Sequence, residues 1–302
     1  MTTASNLGFS DLVTLISGGL GIHDVPCPLC GPERRHPINR KRRVLRVWYE
    51  QPNFISYYCA RCGARGYAHD GDAQRIHPQR VHQLTRKAEE HQVQHLRRRR
   101  KLAQWLWEGA EPIDGTPAER YLRTRKIRCP LPATLRFRAG YRQHPPAMMT
   151  AFGIPSEHIP GVLDVEDMLV HGVHITHLNP DGSGKAKDSE GREKLMIGPS
   201  MGLPIVVAPA NDLGGLCICE GIEDALSLHQ ITGLGAWVAG CASRLPALAR
   251  AVPQYVTSVT ISVDDNDAGR RYSQDLARHL VRIRGRRFEI IMLEGQEKRA
   301  AA

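Results

Sequence analysis

The sequence predicts a mixed α+β and α/β chain. It has a small N-terminal β ribbon pinned by cysteines, a helical linker, a mixed α/β middle region, and a C-terminal open sheet of largely parallel strands flanked by helices. Three observations carry this expectation. Two Cys-x-x-Cys pairs bracket two β-like runs within residues 25–68. From residue 213 onward, apolar runs of strand length alternate with helical stretches, the pattern of a parallel sheet. Between them, residues 81–108 are polar and charge-rich with spaced apolar positions, as expected of a linking helix.

The chain has 302 residues, enough for two domains with a substantial core, and its 41% hydrophobic and 24% charged content is that of an ordinary globular protein. No uncharged apolar run approaches the ~18–20 residues of a membrane span, and no basic-then-apolar leader pattern opens the sequence. Membrane insertion and secretion are therefore disfavoured, and a reducing cytoplasm is expected. The net charge of +10 is unevenly spread. Residues 1–150 carry 26 Lys and Arg against 12 Asp and Glu, whereas residues 151–302 carry 15 against 19. A basic front half suggests a polyanionic partner, and a mildly acidic back half suggests cation-dependent chemistry.

In chain order, apolar spacing at Leu12, Leu15 and Ile16 predicts a short helix ending at Gly18-Gly19. Strands are expected over 44–49 and 54–58, turning at Gln51-Pro52-Asn53, to complete a first segment of residues 1–68. Residues 69–80 read as linker. The helix over 81–108 presents Val81, Leu84, Leu96, Leu102, Trp105 and Leu106 and carries the run Arg97–Lys101. Residues 109–210 form the mixed middle region, in which Thr116-Pro117-Ala118-Glu119 opens a helix with Thr as N-cap and Pro at the first position. A strand over 172–178 leads into the turn Asn179-Pro180-Asp181-Gly182. Residues 211–295 hold strands at 216–219, 236–239, 256–263 and 288–293, with helices near 222–230, 243–252 and 268–284; residues 296–302 are a tail.

Cys27-Pro28-Leu29-Cys30-Gly31 and Cys59-Ala60-Arg61-Cys62-Gly63 are two knuckles, each presenting two thiolates. Together they make a closed tetrahedral site of the kind structural zinc prefers, with no position left for a catalytic water. A redox dithiol or an iron–sulfur site is less consistent with two such pairs. His36 is read as a surface residue rather than a substitute ligand, and Cys129, Cys217, Cys219 and Cys241 as packing residues. Between the knuckles lie Arg34, Arg35, Arg40, Lys41, Arg42, Arg43 and Arg46, interleaved with Trp48, Phe54, Tyr57 and Tyr58. Two of these aromatics are expected in the ribbon's core. The others, with cations such as Arg42 and Arg43, suit a single-stranded nucleic acid.

Glu220 follows the apolar run Leu216-Cys217-Ile218-Cys219, and Asp264-Asp265-Asn266-Asp267 follows the run over 259–263. Acids at the carboxyl ends of neighbouring strands would converge on a patch able to hold Mg²⁺ or Mn²⁺ through oxygens. Asp181-Gly182-Ser183-Gly184-Lys185 is not a P-loop, since Asn179 and Ala186 occupy positions that need Gly and Ser or Thr. No helicase motor is expected.

A strand ending in Glu-Gly, followed by a strand ending in acids before Ala-Gly, resembles the Toprim domain, which is similar in topology to Rossmann-like folds. Behind a zinc ribbon, that order resembles a Toprim-domain DNA primase of the phage or mobile-element type. The stretches Thr116–Leu122 and Gly172-Val173-His174 through Asn179-Pro180-Asp181-Gly182 to Lys185 are similar to such proteins as well, which makes 109–210 a primase-type N-terminal subdomain. The resemblance implies synthesis of short RNA primers from ribonucleotides on single-stranded DNA, with a replicative helicase as a possible partner in trans. It implies Glu220 as acid/base and two of Asp264, Asp265 and Asp267 as ligands of Mg²⁺ or Mn²⁺. Counting back from Ala268-Gly269 gives Asp264 and Asn266, whereas the Asp-Asn-Asp string gives Asp265 and Asp267, which is slightly favoured. Lys194 and Lys185, then Lys187 and Arg192, are candidates for the nucleotide and template path, together with Arg120, Arg123, Arg136, Arg138 and Arg142. A Toprim nuclease and a non-catalytic binder are the alternative readings.

Overall fold

A computed structural model gives the structure over residues 7–17, 19–31, 40–70, 78–142, 144–159, 162–166, 169–285 and 288–294. Arg34, Arg35, His36, the linker residues 71–77 and the tail lie outside the described residues. The chain divides into two compact units, Met1–His95 and Leu96–Ala302. The segments expected at 109–210 and 211–295 thus lie inside one unit.

The first unit begins with α1 (Phe9–Ile16). The Gly8 N–H donates to Asp11 Oδ2 at 3.1 Å, and Leu12 and Ile16, one turn apart, are buried. Four antiparallel strands follow, β1 (Gly21–Pro26), β2 (Arg43–Gln51), β3 (Phe54–Cys59) and β4 (Arg65–His69), paired in sequence order. The central hairpin is the one the sequence predicts. The outer strands were not, because His23, Asp24, Arg65 and Gly66 break the apolar pattern of a strand. Leu12, Leu45, Val47, Ile55 and Tyr57 form this unit's core around the buried cysteines.

Helix α2 (Pro78–Glu108) is followed by β5 (Glu111–Pro112), α3 (Pro117–Thr124), β6 (Leu135–Arg138) and β7 (Ala147–Phe152). Next come the small hairpin β8 (Ser156–Ile159) and β9 (Val162–Asp164), then β10 (Gly172–His177) and β11 (Lys194–Ile197). An antiparallel sheet in the order β11-β10-β7-β6-β5 results. One face packs on α2 through Ala103, Trp107, Met149, Val173 and Ile175. Trp107, not Trp105, is the buried tryptophan of this helix, while Trp105 and Leu102 are exposed. Thr116 caps α3 as expected, accepting from the Glu119 N–H at 3.4 Å, while Glu119 Oε2 accepts from Gly115 N–H at 2.7 Å.

The remaining elements are β12 (Ile205–Ala208), β13 (Gly215–Cys219), α4 (Ile222–Thr232), β14 (Gly235–Val238), a 3-10 helix (Ala242–Arg250), β15 (Ser258–Ser262), α5 (Asp267–Arg284) and β16 (Glu289–Leu293). They build a sheet in the order β12-β14-β13-β15-β16, parallel except for the antiparallel edge strand β12. The stretch expected as a helix near 243–252 is 3-10 because Pro246 lies inside it and supplies no backbone N–H. Strands β13 and β14 are buried throughout, consistent with their continuous apolar runs.

A single apolar core joins the two sheets. Tyr121, Leu122, Met148, Phe152 and Leu178 meet Cys217, Cys219, Ala225, Leu226 and Val238. Buried Arg244 adds a polar tie: Nε donates to the Ala239 carbonyl at 2.9 Å and Nη2 to the Ser200 carbonyl and to Ser200 Oγ, while the guanidinium lies 4.6 Å from the Phe152 ring centroid. Arg244→Ala is expected to orphan those buried acceptors and to destabilise the 96–302 unit by about 2–4 kcal/mol, read from urea unfolding of the full chain.

Candidate functional site

The four cysteines come together as expected. Their sulfurs all lie within 4.8 Å of one another, with Cys27 Sγ 3.9 Å from Cys62 Sγ and Cys30 Sγ 3.8 Å from Cys59 Sγ. Four ligands at a Zn–S length of about 2.3 Å from a tetrahedral ion stand about 3.8 Å apart, so the cluster fits that ion. Burial, then the neighbouring sulfurs of Cys59 and Cys62, pushes the Cys30 thiol up to about 11. The hydrogen bond with Cys27, then burial, takes Cys59 to about 12. Crowded sulfurs so resistant to ionisation call for a cation to hold them as thiolates. Among the described residues this is the one group of three or more His, Cys, Asp or Glu side chains within that distance.

Around the cluster, the structure divides the expected nucleic-acid residues. Arg42 and Arg43 are exposed, with side chains open to a polyanion. Arg46 is spent on Asp24 through two hydrogen bonds of 2.8 and 2.7 Å. Trp48 is 5% exposed, and Phe54 and Tyr57 are buried too. The expectation that Trp48 stacks on a base is corrected: three of the four aromatics are buried, Tyr57 in the ribbon's core and Trp48 and Phe54 at alternate positions on its other face.

In the second unit, β13 and β15 are neighbours, and the parallel register sets Ile218 beside Ile261. Both strands therefore end at one edge of the sheet, where Glu220 and Asp264 stand close enough for the Asp264 carboxyl to act on that of Glu220. The Ala242 N–H, at the start of the 3-10 helix, lies near enough to the Glu220 carboxyl to favour its ionised form. Burial, then the Asp264 charge, raises the Glu220 pKa, while Lys194 opposes that rise. The favoured pair, Asp265 and Asp267, is not brought to Glu220. Asp265 is 83% exposed and bonds Arg270 at 2.7 Å, and Asp267 is fully exposed and bonds Arg270 at 3.0 Å. Asn266 Oδ1 caps α5 by accepting from the Gly269 N–H at 2.8 Å. The one-residue register therefore falls on Asp264, because the capping turn aims residues 265 and 267 into solvent.

A second carboxylate, which the sequence analysis did not single out, stands in the first turn of α4. Glu223 Oε1 accepts from Tyr121 OH at 2.5 Å and from Lys185 Nζ at 2.8 Å. Burial pushes its carboxyl up, but the bonds from Lys185 and Tyr121 outweigh that and hold it down at about 2. Lys185 is thus engaged by Glu223, whereas Lys194 is exposed and within electrostatic reach of Glu220, Glu223 and His174. His174 is buried, and burial lowers its pKa to about 3, so it is neutral here.

Four of the other expected groove cations have structural work. Arg138 Nη1 donates to the Leu106 carbonyl at 2.9 Å and Arg136 Nη1 to the Trp107 carbonyl at 3.2 Å, closing the last turn of α2. Arg123 bonds Glu119 and the carbonyls of Ile127 and Cys129. Arg192 bonds Asp188 and Glu190. Arg120 and Arg142 are exposed.

Two family models match the chain: a domain of unknown function, DUF7146, over residues 97–206, and the Toprim domain over residues 215–297. The C-terminal sheet with its flanking helices is therefore a Toprim domain. No curated protein matches. Among solved structures, the primase fragment of the bacteriophage T7 primase-helicase protein aligns at 9% identity over 85% of this chain and 86% of that one, with a TM-score of 0.31. A TM-score that low does not relate the two folds.

Glu223 generates a pH prediction. Its folded pKa of about 2 lies below the ordinary glutamate value of 4.5, so its stabilisation is fully present above about pH 4.5 and is lost as pH falls toward 2. The wild type is expected to exceed Glu223→Gln in unfolding free energy by about 3 kcal/mol at pH 7, with the gap closing across that acid range in urea titrations.

Proposed function

We propose that this chain is a DNA primase that makes short RNA primers on single-stranded DNA from ribonucleotides. The observation that carries the reading is the Glu220–Asp264 pair, two carboxyls brought together at the carboxyl edge of a Toprim sheet. Two such groups ionise together only at a cost that a divalent cation removes. Mg²⁺ suits the donor set, since it commonly takes one or two carboxylates and completes its shell with water and phosphate oxygens; Mn²⁺ is the alternative ion. When bound, the ion supplies stabilisation of negative charge on the reacting phosphate.

The chain's own groups do the rest. Glu220, at the edge of the ion's site, would accept the proton of the attacking 3′-hydroxyl. Asp264 shares the ion with it. Lys194, exposed beside them, takes the charge of the nucleotide phosphates. Lys185 acts indirectly, holding Glu223 and through it the start of α4. In the first unit, Cys27, Cys30, Cys59 and Cys62 hold structural Zn²⁺, and Arg42 and Arg43 contact template phosphates. A replicative helicase acting in trans is part of the proposal, as is a cytoplasmic location. No described helix is long and apolar enough to cross a membrane.

The test is incorporation of labelled ribonucleotides on single-stranded DNA with Mg²⁺ or Mn²⁺. The wild type is expected to yield short RNA, Glu220→Gln and Asp264→Asn to lose at least about 100-fold, and Asp265→Asn to stay within about threefold. DNA cleavage in place of synthesis would identify a nuclease and overturn the proposal, as would template binding with neither activity. Zinc content supplies an independent check. One zinc per chain is expected, falling to none in Cys59→Ser with loss of the Met1–His95 β signal in circular dichroism.

A further inference from the structure

The antiparallel sheet has a second face, turned away from Glu220. Along β10, His174 approaches Gly240 on the side of the Toprim sheet, while Ile175 packs with Met149 and Val173 on the side of α2. His177 shares the parity of Ile175. On this side a cavity of ≈ 480 Å³ opens between the end of α2, strands β7, β10 and β11, and the segment around Tyr141. That is the size of a small-molecule pocket. Its floor is apolar, built from Met149, Ile175, Leu195 and Ile197. None of Glu220, Asp264, Lys185 and Lys194 lines it.

One observation marks the cavity as a site rather than a packing defect. His177 lines it, is 4% exposed, and among the described residues has no hydrogen-bond partner for either ring nitrogen. The Asp188 carboxylate stands 3.7 Å from Nε2, and is already engaged by the Arg192 side chain and by the N–H groups of Glu190 and Arg192. Buried polar atoms without partners are costly, a cost that a bound ligand removes.

The lining says what that ligand is. Arg192 is spent on Asp188 and Glu190 and Arg138 on the Leu106 carbonyl, which leaves the exposed Arg142, with His144 beside it, to meet an anionic group. The rim carries two exposed aromatics, Trp105 and Tyr141, with the Arg138 guanidinium 4.8 Å from the first ring centroid and that of Arg142 5.1 Å from the second. Aromatic and guanidinium planes of this kind stack on nucleobases. A neutral imidazole offers one donor and one acceptor, matching a heterocycle edge that carries both. An acyl anion would fill the floor but leave His177 unmet.

We infer that this cavity binds a nucleotide, its base on the apolar floor with the edge bonded to His177 and its phosphate at Arg142 and His144. The site is separate from the acidic centre and does not rest on the primer-synthesis reading. The nucleotide is either free or a residue of a nucleic-acid strand.

Calorimetric titration of the full zinc-loaded chain with ATP and with a short single-stranded oligodeoxyadenylate, both without divalent cation, separates these sources. Saturable binding is expected for at least one of them. His177→Phe is expected to weaken it about tenfold. Ile175→Trp, which fills the floor, is expected to abolish it. Should that variant fail to fold, Trp105→Ala and Tyr141→Ala, on exposed side chains, are each expected to weaken binding about tenfold. Glu220→Gln is expected to bind as wild type does, even if it is inactive in synthesis. The inference is overturned if the wild type binds neither probe. It is equally overturned if the cavity variants bind as wild type does while Lys194→Ala does not.

Discussion

The parallel pairing of β13 with β15 is the constraint on which the rest of the acidic centre depends. The register that sets Leu216 beside Val259 and Ile218 beside Ile261 ends both strands at one level. The backbone then delivers Glu220 and Asp264 to a single edge. Two further contacts hold them there. The Gly240 N–H bonds the Glu220 carbonyl at 3.1 Å, extending the β13–β14 ladder past the strand ends. Gly269 allows the first turn of α5 to close over Asp264, since a Cβ at that position would stand 2.4 Å from the Asp264 carbonyl oxygen. The carboxyl pair is thus a product of strand register, helix capping and one close backbone approach.

The middle region is fused to this edge rather than tethered to it. Tyr121 and Lys185, from two separate segments of it, converge on Glu223 at the start of α4. The apolar core shared by Met148, Phe152, Cys219 and Val238 makes the two sheets one body. Burying Glu223 in ionised form is tolerable because two donors meet it, and removing either would leave a charge uncompensated. The consequence for function is positional: Lys194, on an edge strand of the antiparallel sheet, is carried to within electrostatic reach of Glu220.

Much of this was legible in the sequence, and the reason differs from place to place. The cysteine knuckles were legible because the ligand spacing is local. Strand β13 was legible because a fully buried parallel strand is a continuous apolar run, and β15 because Val259, Thr260 and Ile261 are β-branched residues that favour strand. The helix opening at Thr116 was legible because its cap is written in adjacent residues. What failed were decisions that only tertiary contacts make. Val47 and Trp48 are adjacent yet both buried: the two-residue alternation sends Val47 into the ribbon's core, and the opposite face, which carries Trp48, is covered as well. Arg136 and Arg138 look like groove cations until the carbonyls at the end of α2 are seen to need them. The acid register turned on Asn266 acting as a cap, which shifts the facing carboxyl by one residue to Asp264. Glu223 carried no motif of its own; its signal was only its place three residues after Glu220.

The central claim is that Glu220 and Asp264, and not Asp265 or Asp267, form the cation-binding pair. Electron paramagnetic resonance of free Mn²⁺ in titrations of the wild type and of single Asn variants at 264, 265 and 267 tests it without any need for turnover. The account predicts one site that weakens at least about tenfold in Asp264→Asn and stays near wild type in the other two. Loss of Mn²⁺ in Asp265→Asn or Asp267→Asn, with Asp264→Asn unaffected, would contradict it.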